Sequence, residues 1–196
     1  FTMSCWMKIS WVDTGDHQLF QTYTDNGNRE HMYFTSDKLK FYIRHSNSQQ
    51  ASLETNRLFR DRSAWYHIVI ACDSTQGTAS DRIKMYINGV QETSFASSAY
   101  PTQNYDFKLN TNSAPLIIGR YGGSNHYYYN GLISHFHFCD GSQLAPTVFG
   151  ETDSTTGEWK INASPSFTIG NTGYTILKDG NTITDQSSNS NDFSLG

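Results

Sequence analysis

The first ten residues alternate between apolar and polar side chains, and this alternation is the feature that most constrains the fold. The even-numbered positions are polar except for Trp6. A period of two sustained over ten residues predicts a β-strand with one buried face. The apolar positions, which we predict to share that face, are Phe1, Met3, Cys5, Met7 and Ile9.

Further short strand-like runs follow, separated by turn-forming residues. The run 65–72 is the most apolar and predicts a central strand buried on both faces. Asn88-Gly89 predicts a hairpin, because a type I′ turn requires positive φ at both central positions. Helical periodicity is not sustained anywhere, and only 142–149 is expected to hold a helical turn. Many short strands with turns between them predict an all-β sandwich or barrel. The predicted strands are 1–10, 18–23, 31–34, 39–44, 65–72, 82–88, 90–95, 116–120, 132–139 and 174–177.

Charge and hydropathy argue against several classes of partner. The formal net charge is −4 and the sequence has no run of Lys or Arg, so nucleic-acid binding through phosphate neutralisation is not expected. No apolar run reaches the roughly 20 residues that span a bilayer, so membrane insertion is not expected either. Cys5, Cys72 and Cys139 lie in apolar strand-like runs and are predicted to be buried thiols.

Five segments, taken in their order and spacing, resemble the concanavalin A-like superfamily, specifically its laminin-G-like and pentraxin-like jelly rolls. They are 1–8, 64–73, 84–89, 118–120 and 129–138. The resemblance covers residues 1–150 and implies an antiparallel two-sheet β-sandwich. Residues 151–196 are then a C-terminal extension that packs back on the sandwich or leads to a further domain or subunit.

The extension contains its own strand-like segment. In this superfamily the first strand normally precedes the segment that matches 1–10, and a polar tract often follows it. Here residues 174–177, followed by the polar tract 185–192, resemble that pair of features at the other end of the chain. We predict that 174–195 packs onto the same sandwich or contacts a neighbouring subunit; the alternative is a disordered linker.

A narrower resemblance rests on the segments 59–67, 140–144 and 149–151. They are similar to laminin-G-like modules of bacteriophage virion proteins, found in fibres and other appendages. This implies a location on a virion surface or otherwise outside the cell, in a homo-oligomer that contacts other virion or appendage subunits.

The residues that hydrolytic enzymes need do not form a recognisable pattern. Glucanases of the superfamily cleave with two carboxylates on one strand, and the predicted strands carry no acidic pair; Glu151 and Asp153 are close together but lie in a polar linker. No Gly-x-Ser-x-Gly motif occurs. His137 and Cys139 share a strand face, which we interpret as a structural arrangement. We therefore expect no enzymatic activity.

Two sets of residues have metal-ligand chemistry. His135 and His137 are spaced to bind a transition metal, but no further ligand is apparent, and we interpret them as ordinary polar residues of a strand face. Loop carboxylates and amides suit calcium, but they are also common turn formers, so a Ca²⁺ site stays open with its ligands unassigned. No other cofactor is expected. The oxygen-bearing candidates are Asp13, Asp16, Asp25, Asn26, Asp73, Asp81 and Asp140.

The loop 121–129 is the candidate ligand-binding site. Aromatic rings stack on the C–H faces of sugars, while amide, imidazole and phenol groups bond sugar hydroxyls. The candidates are Asn125, His126, Tyr127 and Tyr128, whereas Tyr129 is assigned to the core because the family places an aromatic there.

These features predict a non-catalytic module that recognises a glycan or a host surface receptor during attachment. The first alternative is a structural or decoration module of a virus particle or appendage, with protein contacts only. The second is a glycoside hydrolase. Binding to a glycan array distinguishes the first alternative, and release of reducing sugar distinguishes the second.

Overall fold

The computed structural model describes residues 1–11, 13, 15–109, 116–124 and 126–195, and these residues are almost entirely β-structure. Two short 3₁₀ turns, Ala79–Asp81 and Pro146–Val148, interrupt the strands. The second lies inside the predicted helical turn at 142–149. The strands are β1 Thr2–Ile9, β2 His17–Asp25, β3 Asn28–Thr35, β4 Lys38–His45, β5 Ser48–Thr55, β6 Tyr66–Cys72, β7 Ile83–Ile87, β8 Val90–Gln91, β9 Phe95–Ala99, β10 Leu116–Ile118, β11 Gly131–Cys139, β12 Gly150–Thr152, β13 Trp159–Ile161 and β14 Tyr174–Ile176.

Twelve of these strands form two six-stranded antiparallel sheets. Sheet A has the order β14-β11-β1-β6-β7-β8, and sheet B has the order β10-β2-β3-β4-β5-β9. Strands β12 and β13 form a separate hairpin. The predicted antiparallel two-sheet β-sandwich, a concanavalin A-like jelly roll, is therefore confirmed.

The core lies between the sheets and follows the alternation of the sequence. The five apolar side chains of the first ten residues all face it, and none is more than 6% exposed. Strand β6 lies next to β1 in the middle of sheet A, and its residues 67–72 are buried on both faces, as predicted. Trp65 differs from the prediction, because it precedes the strand and is 40% exposed. The three cysteines are buried free thiols.

The sequence prediction fails at strands with polar composition. It missed β5, whose first residues are Ser48, Gln49 and Gln50, because polar side chains at a strand end give no hydrophobic alternation. It also predicted one strand over 90–95, where β8 ends at Gln91 and β9 begins at Phe95. The chain leaves sheet A at Glu92, whose carboxylate accepts hydrogen bonds from Arg57 Nε at 2.9 Å and from the backbone N–H of Ser94 at 3.1 Å.

The C-terminal residues lie against sheet A. Strand β14 pairs antiparallel with β11, and the Tyr174 ring stacks on Phe136 and Phe138 in the core. Asp185 fixes this strand, because its carboxylate accepts the backbone N–H groups of Thr175 and Ser187 at 2.8 and 2.9 Å. The division of the chain at residue 150 stays a prediction. In the described residues no helix is long and apolar enough to cross a membrane.

Candidate functional site

The outward-facing side chains of strands β2 to β5 form a polar and aromatic surface, which we call the outer face of sheet B. Alternation places them there, because the residues between them, such as Met32 and Phe41, face the core. Cross-strand pairing aligns Gln21, His31, Tyr42 and Ser52 in one row across four strands. The outer face of sheet B comprises Gln18, Gln21, Arg29, His31, Tyr33, Lys38, Lys40, Tyr42, Arg44, Ser52 and Glu54.

His31 is at the centre of this face, enclosed by aromatic rings. Its imidazole stacks on Tyr33, with ring centroids 4.6 Å apart, and meets the edge of Tyr42 at 5.5 Å. Arg29 and Lys40 both lie over the Tyr42 ring, at 5.8 and 5.7 Å from its centroid. Burial, reinforced by these two cations, lowers the pKa of His31 to about 3, so the imidazole is neutral at neutral pH.

Two hydrogen-bond acceptors in the central row have no partner among the described residues. The Nδ1–H of His31 donates to Gln18 Oε1 at 3.1 Å, which leaves Nε2 with a free lone pair. Gln21 donates from Nε2 to the carbonyl of Arg120 at 3.3 Å, and its Oε1 is unpaired. Both residues are buried, at 4% and 0% exposure. Buried polar atoms are normally paired, so two adjacent acceptors without a donor among the described residues are unusual.

Two hydrogen-bond donors at one end of the face are also unpaired. Arg29 and Arg44 lie opposite each other on β3 and β4, and the Nε of each is buried without a partner among the described residues. Other guanidinium nitrogens tether both side chains to the adjacent turns, Arg29 to the carbonyl of Asn26 and Arg44 to that of Asn47. The guanidinium groups are therefore held in place with part of their donor capacity unused.

The loop predicted from sequence borders this face. Hydrogen bonds fix its backbone to β2: the N–H of Gln18 donates to the carbonyl of Tyr127 at 3.0 Å, and His17 Nδ1 lies 3.2 Å from the carbonyl of Tyr128. Gly122 packs against Gln21 and Tyr23 so closely that a Cβ there would lie 2.8 Å from each side chain. Only glycine therefore allows the loop to approach the sheet.

Three of the four candidate residues of the loop lie within the described residues. His126, Tyr127 and Tyr128 are exposed, the two tyrosines at 49% and 52%. Asn125 lies outside the described residues. Tyr129 packs on the core and donates its hydroxyl to the carbonyl of Lys8 at 2.9 Å, consistent with the structural role assigned to it.

Sequence reasoning found the loop but missed the outer face of sheet B. The signal was present in the polar positions of the alternation. In β3 and β4 these positions hold Arg29, His31, Tyr33, Tyr42 and Arg44, which are large groups that form hydrogen bonds or stack, and not the small residues of an ordinary solvated face.

The outer face of sheet A also carries polar groups, but the C-terminal part of the chain covers them. Ser4 Oγ lies 2.8 Å from His67 Nε2, which is the spacing of a nucleophile and its base. Trp159 Nε1–H, however, donates to His67 Nδ1 at 2.9 Å, and an indole nitrogen can only donate. The proton of neutral His67 is therefore on Nε2 and donates to Ser4, so His67 cannot accept the serine proton.

The other His and Cys side chains on this face are engaged in a similar way. His137 Nδ1 lies 3.0 Å from Thr175 Oγ1, and its ring stacks on Phe149. The thiol of Cys139 donates to the carbonyl of Thr168 at 3.0 Å, and burial raises its pKa. These contacts agree with the structural interpretation of His137 and Cys139.

The described residues contain no group of three or more His, Cys, Asp or Glu side chains placed to hold a metal ion. Several of the oxygen-bearing candidates cap their own turns. Asp25 accepts from the backbone of Gly27 at 2.7 Å, and Asp73 from that of Thr75 at 3.0 Å. Asp140 accepts from Thr172 at 3.4 Å. A calcium site stays a prediction without assigned ligands.

Comparison with known proteins gives one family and several structures. The family model described as "Concanavalin A-like lectin/glucanases superfamily" matches residues 1–149. No curated protein sequence matches the chain.

Similar solved structures include a heptameric SAP-like pentraxin from Limulus polyphemus, with 20% identity, a TM-score of 0.44, and coverage of 69% of this chain and 61% of that one. The CBM40 of Ruminococcus gnavus IT-sialidase bound to α2,6 sialyllactose has 13% identity, a TM-score of 0.49, and coverage of 66% and 70%. Mouse laminin α1 domains LG4-5 have 10% identity, a TM-score of 0.44, and coverage of 69% and 34%. The match thus spans less than two thirds of the pentraxin chain.

Proposed function

Because the chain belongs to the concanavalin A-like lectin/glucanase superfamily, we propose that it is a non-catalytic module that binds a glycan on the outer face of sheet B. One observation carries the proposal. Among the described residues, Gln21 Oε1 and His31 Nε2 are buried, unpaired acceptors on neighbouring strands of the outer face of sheet B, next to the loop whose Gly122 packs on Gln21.

A sugar supplies what these atoms lack. The two acceptors are closed to solvent, so a sugar hydroxyl donates to Gln21 Oε1 or His31 Nε2 when the groups that cover them move aside, and it then removes the free-energy penalty of leaving buried acceptors unpaired. The exposed rings of Tyr127 and Tyr128 at the border of the face stack on the apolar C–H surface of the same or a neighbouring sugar unit. Acceptors at the centre and aromatic rings at the edge suit a polyhydroxylated ligand.

The carboxylates support binding without hydrolysis. A retaining glycosidase requires two carboxyl groups about 5 Å apart. Within the outer face of sheet B as defined above, Glu54 is the single carboxylate, and it is paired with Lys40 at 3.1 Å and Lys38 at 3.5 Å. A carboxylate held between two lysines is a poor general acid.

We further propose that the module acts outside the cell, on a virion or appendage surface, where it attaches to a host glycan or surface receptor as part of a homo-oligomer. The support is the resemblance of 59–67, 140–144 and 149–151 to phage virion modules. Neighbouring genes for baseplate or capsid proteins are the expected finding, and a chromosomal locus without virion genes would contradict this location.

A glycan array with the folded chain tests the binding proposal. Tyr128→Ala should weaken affinity by roughly 1–3 kcal/mol, the scale for loss of one aromatic anchor, with little change in stability. Tyr86→Ala, on the outer face of sheet A, is the matched control and should leave affinity unchanged.

The remaining outcomes identify the alternatives. Unaltered affinity in Tyr128→Ala would place the site away from the loop. A folded chain that binds no glycan would favour the structural or decoration role, and release of reducing sugar from a polysaccharide would show a hydrolase.

A further inference from the structure

We propose that the ligand is an anionic sugar, whose carboxylate or sulfate group binds at the end of the outer face of sheet B where Arg29 and Arg44 meet. The inference rests on the proposed glycan-binding function and names the class of glycan.

The first support is the pairing of two like charges. Arg29 and Arg44 are direct cross-strand neighbours, an arrangement that is unfavourable unless an anion lies between or beside them. Among the described residues, neither guanidinium is within ion-pair distance of a carboxylate. Asp25 lies in the adjacent turn, where its oxygens accept hydrogen bonds from Gly27 and Asn28 and where the charge of Arg29 helps to lower its pKa.

The second support is the unused hydrogen-bonding capacity of the same groups. The buried Nε–H of each arginine has no partner, although each side chain is tethered through another nitrogen. Guanidinium groups bind carboxylates and sulfates through parallel N–H donors, and Nε–H is one donor of that fork. Both Nε atoms are closed to solvent, so an oxyanion reaches these donors only when the side chains that cover them move aside.

The third support is the distribution of charge. The chain carries a net charge of −4, yet the outer face of sheet B holds four cations and one carboxylate. Lys38 and Lys40 share Glu54 at the other end of the face, and Asp16 lies close enough to raise the pKa of Tyr33. The carboxylate of this face is thus at the lysine end, whereas the arginine end has the turn carboxylate of Asp25 nearby, outside the face.

A cleft adjoins the arginine end from the other side of sheet B. Arg29 lines this cleft of about 390 Å³ together with Thr22 and His45, which alternate with the outer-face residues, and Arg44 does not line it. This volume falls in the range of roughly 300–1,000 Å³ that is typical of small-molecule sites. Acidic groups are present nearby but engaged: Asp106 pairs with Lys108, and buried Glu30 accepts the backbone N–H groups of Lys108 and Leu109 at 2.8 and 3.0 Å.

The neighbouring acceptors favour a sugar acid over a nucleic acid. Gln21 Oε1 and His31 Nε2 lie on the same face as the arginine pair and have no hydrogen-bond donor among the described residues. A phosphodiester backbone provides anions but few hydroxyl groups, whereas an acidic sugar provides both. The combination of unpaired acceptors and unpaired cationic donors on one face is the observation that selects this class.

The test uses ligands that differ only in charge. Trigalacturonate is compared with its methyl ester, and a sulfated galactan oligosaccharide with its desulfated form, by calorimetry with the full chain. We expect at least one acid to bind about tenfold or more tightly than its neutral counterpart, with a gap that narrows at high salt because salt screens exposed charges. The two pairs separate a carboxylate ligand from a sulfate ligand.

Substitutions of the two arginines test where the acidic group of the glycan binds. Arg29→Gln and Arg44→Gln should each reduce affinity for the acid by about tenfold while barely changing affinity for a neutral sugar. Arg44→Lys keeps the charge but loses the planar guanidinium group. Its affinity for the acid should lie between those of the unchanged chain and of Arg44→Gln. Arg60→Gln is the matched control, because Arg60 is exposed and pairs with Asp37 beyond the other end of β3.

Failure of this inference differs from failure of the proposed function. Equal affinity for acids and neutral counterparts, unaffected by Arg29→Gln, would overturn the anionic class and leave glycan binding intact. Tighter binding to a single-stranded oligonucleotide than to any acidic glycan would also overturn it. No binding to any charged or neutral glycan would overturn the proposed function, and this inference with it.

Discussion

The two outer faces of the sandwich carry similar polar and aromatic side chains, but they differ in whether the buried polar atoms have hydrogen-bond partners. Each has a buried histidine beside aromatic rings, His67 on sheet A and His31 on sheet B, and burial lowers the pKa of both to about 3. Both nitrogens of His67 have partners within the chain, whereas Nε2 of His31 has none among the described residues. The exception on sheet A is Trp6, whose Nε1 is also unpaired.

The difference follows from what lies over each sheet. Residues of the C-terminal third, including Trp159, Phe149 and Thr175, pack on sheet A and complete its hydrogen bonds. On sheet B the loop residues 121–124 and 126–128 border strand β2, where Gly122 packs on Gln21 and the carbonyl of Tyr127 accepts the N–H of Gln18. Polar residues on a sheet face therefore do not mark a binding site by themselves, and what distinguishes His31 from His67 is an unpaired buried nitrogen.

The largest expected effect is a loss of stability when a C-terminal residue that packs on sheet A is removed. Trp159→Ala should lower the free energy of unfolding by about 2–4 kcal/mol, because it removes a large packed ring and leaves His67 Nδ1 without its donor. Chemical denaturation measures the change. Trp65→Ala, at an exposed position, should cost less than about 1 kcal/mol. Equal losses of stability in the two variants would mean that the residues packed on sheet A contribute little to stability. The difference between the two outer faces would then be smaller than described.

The next effect concerns pH. The pKa of His67 is about 3 in the folded chain and ordinary, 6.5, in the unfolded chain. The unfolded state therefore binds the proton first, and stability that is present above pH 6.5 is lost as the pH falls. His67→Gln should reduce the difference in unfolding free energy between pH 7 and pH 5 by on the order of 1–2 kcal/mol.

Glu30→Gln should change the pH dependence of stability in the opposite direction to His67→Gln. It is therefore the control for the sign of that effect. Burial raises the pKa of Glu30 from 4.5 to about 7, so its contribution is present below pH 4.5 and is lost as the pH rises through 7. The stability of the variant relative to the unchanged chain should therefore be higher at pH 7 than at pH 5. Denaturation curves at both pH values check this, and parallel behaviour of the two variants would contradict the assignment.

A smaller effect compares one paired group with one unpaired group. Ser4→Ala should cost about 1–2 kcal/mol of stability, because it leaves the buried Nε2–H of His67 without an acceptor. Gln21→Met keeps the side-chain volume and loses a single long hydrogen bond, so stability should change by less than about 1 kcal/mol while glycan affinity falls several-fold. A large loss of stability in Gln21→Met would show that Gln21 is structural, and sheet B would then resemble sheet A.

The smallest effect is spectroscopic. Addition of a bound glycan should shift the imidazole NMR signals of His31, whose Nε2 gains a hydroxyl donor, and leave those of His67 unchanged because its partners are already in place. Shifts at His67 and none at His31 would place the ligand on the opposite face of the sandwich.

Sequence patterns predicted the strands whose side chains alternate most strongly. Phe1–Ile9 and residues 67–72 are buried where the period and the apolar run indicated, because the core requires a continuous apolar surface on each sheet. The loop 121–129 was proposed as a ligand site from its composition, and that site stays a prediction. Strand β5 was missed, since its first residues are polar and mostly exposed and are kept in the sheet by pairing with β4.

What the sequence determined by itself is the set of residues that face the core, because apolar burial depends mainly on the local period of a strand. What only the tertiary structure decided is which polar residues are satisfied. His67 meets a donor 92 positions along the chain, and Arg29 meets Arg44 across a register set by the β3–β4 pairing. Hydrogen bonds and charge pairs act over a few ångströms between atoms far apart in sequence, so no local pattern shows whether a buried histidine or arginine has found its partner or still lacks one.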